Sequence, residues 1–202
     1  MHYTARIAAA VFAFVAFATL VSAQTPAKTP EQQARAVVHQ MFMYEPKTKE
    51  TGVCSVVVVE EGVALTAAHC KPGKGGKAIV VVGEEKLKVT EWKLYPGTDL
   101  ARITVPGLKC DCVALASGRP AIDTPVIVVG YPYGIGKVLT RGEVQGRVQF
   151  EGEELLLATA CIAGGNSGGG LFVVRDGVIY LVGITSRGSQ EGCLSLFVEV
   201  GQ

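Results

Sequence analysis

The sequence predicts an all-β protein, a sandwich or barrel arrangement in two halves, and three observations carry that reading. From Thr51 onward the chain is a succession of short runs rich in valine and isoleucine, among them CSVVVVEEGVALTAA, KAIVVVG, PVIVVGYPYG and VIYLVGITS, punctuated by glycine and proline. Regularly spaced runs of this kind, with turn formers between them, are the pattern of packed antiparallel strands. No amphipathic helical period of useful length interrupts them, which argues against βαβ units. The turn-rich stretch SGRPAIDTP, residues 117 to 125, supplies a joint between halves of similar size.

The elements follow in order. Residues 1 to 23 have the layout of a secretory signal peptide: Arg6, the apolar stretch IAAAVFAFVAFATLV, and small residues at Ser22 and Ala23. The stretch is shorter than the roughly 20 apolar residues a membrane span requires. Cleavage after Ala23, a secreted or periplasmic location and no stable membrane insertion are therefore expected. Residues 24 to 50 read as a polar leader with a helix from about Pro30 to Met43. Thr29 and Gln32 have capping-box spacing, Pro30 takes the first helical position, and Val37, Val38, Met41 and Phe42 supply an apolar stripe. His39 falls inside that helix as a surface or packing histidine. The β region then divides into a first half of about 51 to 117 and a second of about 118 to 202.

Nineteen basic residues stand against eighteen acidic ones in 202, with no basic stripe. That balance excludes a nucleic-acid-binding surface and a disordered acidic chain. The six cysteines, an even count, suit disulfides in an oxidising compartment. Zinc is the rival use of cysteine. The only pair at short spacing, Cys110-Asp111-Cys112, has no second pair or histidine near it, so no metal and no cofactor are expected. A mutual bridge, two free thiols and an intermolecular bridge all remain open for Cys110 and Cys112.

The stretch CIAGGNSGGG, residues 161 to 170, surrounds one serine with glycines and formally satisfies G-x-S-x-G. In the α/β-hydrolases that carry this motif the catalytic histidine follows the serine, and no histidine follows Ser167. The order acid, histidine, serine needs an aspartate before the histidine, and the first aspartate of the chain is Asp99. Histidine, aspartate, serine is the order that survives. His69 ends the apolar run VALTAAHC, and Asp99, Asp111 and Asp123 lie between it and Ser167. Asp99 is the choice because it enters an apolar strand, where an orienting carboxylate is held by an ordered element; Asp111 is flanked by cysteines and Asp123 lies in a proline-bounded turn.

The segments TAAHC, TDLA and GNSGG, in that order, resemble the three signature segments of trypsin-like serine proteases, and the resemblance covers most of residues 51 to 202. GYPYG, TRGEV and ATACIAGGNSGG look more like the bacterial HtrA-type members, although the chain ends at Gln202 straight after the last expected strand, without a PDZ-like segment. The resemblance implies two six-stranded antiparallel β-barrels of chymotrypsin type, with the active site in the cleft between them. It implies His69 as general base, Asp99 as its orienting acid, Ser167 as nucleophile, and the N–H groups of Gly165 and Ser167 as oxyanion donors. Cys161, Ile162, Ser186, Arg187 and Gly188 are implied to line the pocket for the residue before the cut bond. With no aspartate at its base, small or medium aliphatic residues are expected there. Cys161 and Cys193 approximate a family disulfide, and Cys54 and Cys70 bracket the strand and turn that deliver His69. Asn166 stands where zymogen-activated relatives have an aspartate, so activation by a freshly cut N-terminus is not expected.

A secreted serine endopeptidase acting on polypeptides is thus the expected function. A non-catalytic binding module on a protease scaffold and a secreted esterase using the same triad are the alternatives. The sequence does not specify whether the chain forms homo-oligomers.

Overall fold

The computed structural model describes residues 27–188 and 193–201; the signal peptide expected over residues 1 to 23 lies outside them. One α-helix, α1 (Pro30–Val37), precedes the strands. Thr29 caps it as anticipated: its hydroxyl accepts the Gln32 N–H at 3.3 Å and the Gln32 side chain accepts the Thr29 N–H at 2.9 Å. The helix is shorter than the sequence pattern suggests. At Val38 the backbone turns extended, and residues 38–45 form a strand instead of two further helical turns. The spacing of Val37, Val38, Met41 and Phe42 suits either period. The strand wins because its backbone finds ladder partners on both edges, and these outweigh a weak helical preference for β-branched residues.

The first half contains β1 (Val38–Glu45), β2 (Glu50–Glu60), β3 (Val63–Ala67), β4 (Lys77–Val82), β5 (Glu85–Lys88), β6 (Glu91–Leu94) and β7 (Leu100–Thr104). They form one curled antiparallel sheet in the order β5-β4-β1-β2-β3-β7-β6. The leader strand β1 lies inside this sheet, with Val38 opposite Val57 on one side and Gln40 opposite Val81 on the other. It brings the sheet to seven strands. The short, largely exposed β5 and β6 end it without pairing to one another.

The second half contains β8 (Pro125–Gly130), β9 (Val138–Phe150), β10 (Glu153–Ala158), β11 (Gly170–Arg175), β12 (Val178–Gly188) and β13 (Ser195–Glu199). These close into a six-stranded antiparallel barrel in the order β10-β13-β12-β11-β8-β9. Each half has its own core: Met41, Val56, Val58, Ile103 and Leu108 in the first, Val128, Leu156, Leu171, Val182 and Phe197 in the second. A third cluster joins the halves, with Val57 and Leu65 from one side, Val129, Phe172 and Ile184 from the other, and Ala34 and Val37 of α1. Burying Val37 and Val38 contributes about 1.5–3 kcal/mol each relative to exposure, and this holds α1 across the junction. The cleft between the two bodies is where the candidate residues converge.

Candidate active site

His69 sits on the 3₁₀ turn Ala68–Cys70, directly after the fully buried strand β3. Asp99 stands immediately before β7, the strand that pairs with β3, and the two loops are locked by Ala68 N–H donating to the Asp99 carbonyl at 3.1 Å. The Asp99 side chain, 12 % exposed, receives the His69 backbone N–H on Oδ1 at 2.9 Å and faces His69 Nδ1 with Oδ2 at 2.8 Å. That contact keeps a proton on Nδ1 and leaves the Nε2 lone pair free to accept one.

A third donor reaches Asp99 from the other barrel. Ser186 Oγ donates to Oδ2 at 2.6 Å. Ser186 is able to do so because the β12–β13 register slips between Thr185 and Arg187, leaving it as the extra residue of a bulge, a device that re-aims a side chain. Burial alone pushes the Asp99 pKa up; the hydrogen bonds from the His69 ring, Ser186 and the His69 backbone outweigh it and hold the carboxyl below its ordinary value.

Ser167 is fixed through its main chain. Its carbonyl accepts the Ser55 N–H of β2 at 2.7 Å, and the next residue, Gly168, donates its N–H to the Thr185 carbonyl of β12 at 2.8 Å. The loop that carries Ser167 is therefore clamped between the two bodies. Cys70, next to His69, is disulfide-bonded to Cys54 of β2, and its Sγ lies 3.9 Å from the Ser167 carbonyl oxygen. Gly168 has φ +82°, and a Cβ there would overlap the Ser55 carbonyl and Thr66 Oγ1. Only glycine lets the chain pass this close. Among the described residues no hydrogen bond joins the Ser167 hydroxyl to His69; bonds of this type tighten in complexes with substrate.

The peptide linking Gly164 to Gly165 has a defined orientation. The Gly164 carbonyl accepts the Tyr133 N–H at 2.6 Å, and in a planar trans peptide the following N–H must point the opposite way. Gly165 has φ +94°, and a Cβ there would overlap the Tyr131 carbonyl. Its own carbonyl accepts Ser55 Oγ at 2.9 Å, which in turn accepts the Tyr131 N–H at 3.0 Å. Among the described residues, neither the Gly165 N–H nor the Ser167 N–H is donated to a protein acceptor.

Residues 51–184 match the family model described as trypsin-like peptidase domain. The chain belongs to the trypsin-like peptidase family. Among solved structures it is similar to the active form of the Rv3671c protease from M. tuberculosis, at 19% identity and TM-score 0.73, covering 83% of this chain and 78% of that one. It is similar also to the HtrA-type protease AlgW with tripeptide, at 22% identity and TM-score 0.70, covering 83% and 57%. The serine endoprotease from Yersinia pestis is a third, at 20% identity and TM-score 0.72, covering 87% and 64%. The chain spans less than two thirds of the latter two, and at these identities the likeness concerns the fold. A search of curated proteins gives no match.

In this peptidase domain a cleft of about 700 Å³ beside Ser167 is lined by Tyr133, Ile162, Ala163, Gly164, Ser186, Arg187 and Gly188. Of the five residues expected at the pocket, Cys161 is absent from this lining; it is bonded to Cys193. A Cβ at Gly188 would sit 2.6 Å from Ile162 Cγ1, so Ile162 packs against the β12 wall. Arg187 turns away along the hairpin between β9 and β10, where it pairs with Glu151 at 2.7 Å and covers the Phe150 ring at 5.0 Å. Tyr133 was not anticipated in the lining, although GYPYG drew notice as a motif.

Glu153 is the residue that sequence reasoning missed. From the start of β10 both its carboxylate oxygens accept the Asp99 backbone N–H, at 3.1 and 3.2 Å. Burial and the nearby Asp99 charge push its pKa up against the opposing Asp99 N–H bond and Arg187. His39 lies on β1, partly buried, and desolvation, with the Lys137 charge, lowers its pKa to about 4. Among the described residues one histidine and cysteine group is close enough to hold a metal, Cys54, His69 and Cys70, but both sulfurs are taken by their disulfide.

Proposed function

We propose that the chain is an exported serine endopeptidase that cleaves polypeptides through an acyl-enzyme on Ser167, after small or medium aliphatic residues. The observation that carries this reading is the chain of hydrogen bonds from Ser186 and His69 onto Asp99, set beside a serine loop whose Gly165 and Ser167 amides have no protein acceptor among the described residues.

A serine hydroxyl is nearly inert at neutral pH and needs a base as it attacks. His69 Nε2 takes the Ser167 proton while Oγ bonds to the scissile carbonyl carbon. Asp99 holds the ring in the competent tautomer and stabilises the imidazolium. The carbonyl oxygen becomes an anion, for which the Gly165 and Ser167 N–H groups are pre-aimed donors, each worth about 3–4 kcal/mol in such sites. His69 then returns the proton to the leaving amine, and water repeats the sequence to release the acid.

The substrate backbone has a natural track. Arg187 and Gly188 of β12 pair with β13 on one edge, while β11 ends at the Gly170–Ile184 pair and, among the described residues, leaves the other edge open beyond Thr185. An extended peptide adds there as a strand. Ile162 against Gly188 narrows the adjacent cleft, in keeping with short aliphatic side chains. Export rests on residues 1 to 23.

The test is casein hydrolysis and a peptide-library profile, with a short-ester assay in parallel. Cleavage after Ala, Val or Leu, lost in a folded Ser167→Ala variant, is the expected result. Wild-type turnover in that variant, ester hydrolysis alone, or a profile dominated by Lys and Arg would each overturn part of the reading.

A further inference from the structure

We propose that the Cys110–Cys112 disulfide is a thiol–disulfide exchange site, independent of the peptidase chemistry, at which an incoming thiolate attacks Cys110. The three disulfides differ in what surrounds and depends on them. Cys54 and Cys70, 3 % and 1 % exposed, belong to the first core and are closed to solvent thiols. Cys161–Cys193 is exposed but ties positions 32 apart, from the serine loop to the entrance of β13. Cys110–Cys112 bridges a separation of two, with Cys110 and Asp111 exposed and Cys112 packed at the edge of the first core.

Two consequences follow from that placement. A cross-link supports folding more the longer the loop it closes, and this loop is the smallest of the three, so the fold depends on it least. The connector between the barrels is also anchored without it. Leu108 N–H donates to the Val105 carbonyl, Val113 N–H to Val58, and Ala116 N–H to Leu181. The ring can therefore open and close while both bodies stay folded, and exposed disulfides are the labile ones. The Lys28 ammonium, 3.0 Å from Asp111 Oδ1, lines the same concavity of about 340 Å³ as both cysteines.

In the step itself the thiolate forms a bond to Cys110 Sγ, and the electron pair of the broken S–S bond leaves on Cys112. A second thiolate attacks the incoming sulfur and releases Cys110. The protein disulfide gains two electrons and two protons; the attacking thiols are oxidised to their own disulfide. Small thiols and exposed protein dithiols share this chemistry.

The test incubates the folded full chain with glutathione in one arm and a Cys-X-X-Cys peptide in the other, followed by alkylation and peptide mapping over time. Cys110 and Cys112 are expected to react about tenfold faster than Cys161 and Cys193 or more, with Cys54 and Cys70 unreacted and the circular dichroism unchanged. The faster arm identifies the thiol source. A Cys110→Ser, Cys112→Ser double variant is expected to fold as the parent does. Opening of Cys161–Cys193 first or equally fast in both arms, or unfolding of the double variant, overturns the proposal.

Discussion

Glu153, at the start of β10 in the second barrel, accepts the backbone N–H of Asp99 in the first at 3.1 and 3.2 Å. With Ser186 Oγ on the Asp99 carboxylate at 2.6 Å, the residue that orients His69 is gripped from across the cleft at two points. The geometry around His69 is therefore a property of how the halves dock, and not of the first sheet alone.

Removing the grip on the main chain should cost turnover more than binding. Glu153→Ala is expected to lower kcat about tenfold with KM little changed, the worth of one hydrogen bond to a charged group near the surface. Glu153→Gln keeps an acceptor and should recover most of the loss. Steady-state kinetics of both variants check this; a change confined to KM would place Glu153 in substrate binding instead.

Asp99→Asn keeps the shape and loses the charge that fixes the His69 tautomer. A drop of about 10⁴ in kcat is expected, with little change in far-UV circular dichroism. Because the folded Asp99 pKa is held below its ordinary value, the stability it contributes is present above that ordinary value. It is lost as pH falls through the folded value.

Gly165→Ala tests the proposed role of the Gly165 N–H as an oxyanion donor. A Cβ there overlaps the Tyr131 carbonyl at a φ of +94°, so the Gly164–Gly165 peptide must move and the bond from Tyr133 N–H to the Gly164 carbonyl with it. Loss of one such donor lowers kcat about 10²–10³-fold. Activity at the parent level in this variant would show that the Gly165 N–H is not used.

His39 sets an acid limit on folding. Its folded pKa is about 4 against an ordinary 6.5, chiefly from burial. The unfolded chain therefore takes up the proton first, and stability falls as pH drops from 6.5 through 4. The loss is at most about 3 kcal/mol. In His39→Leu, urea denaturation at pH 7 and pH 4 should show a difference smaller by about that amount. An unchanged difference would remove His39 as the cause.

Some of this was legible in the sequence and some was not, for physical reasons. The strand class could be read because valine and isoleucine runs between glycines have few other uses. The pairing of His69 with Asp99 could be read because the histidine and aspartate each adjoin an apolar strand, and those strands, β3 and β7, are neighbours. The end of α1 could not, since the spacing of Val38, Met41 and Phe42 fits both periods and the choice is made by β2 and β4. Glu153 left no trace, because the run GEEL looks like a solvated turn and its partner is a main-chain N–H 54 positions away. Ser186 was visible as a groove residue, but its bond to Asp99 depends on a bulge that no local pattern announces.

Peptide mapping after reaction with a fluorophosphonate tests Ser167 as nucleophile most directly. A single covalent adduct on Ser167 is expected, absent in Ser167→Ala and formed about 100-fold more slowly or less in His69→Ala. Folded protein that stays unlabelled, or carries its adduct on another residue, contradicts the assignment.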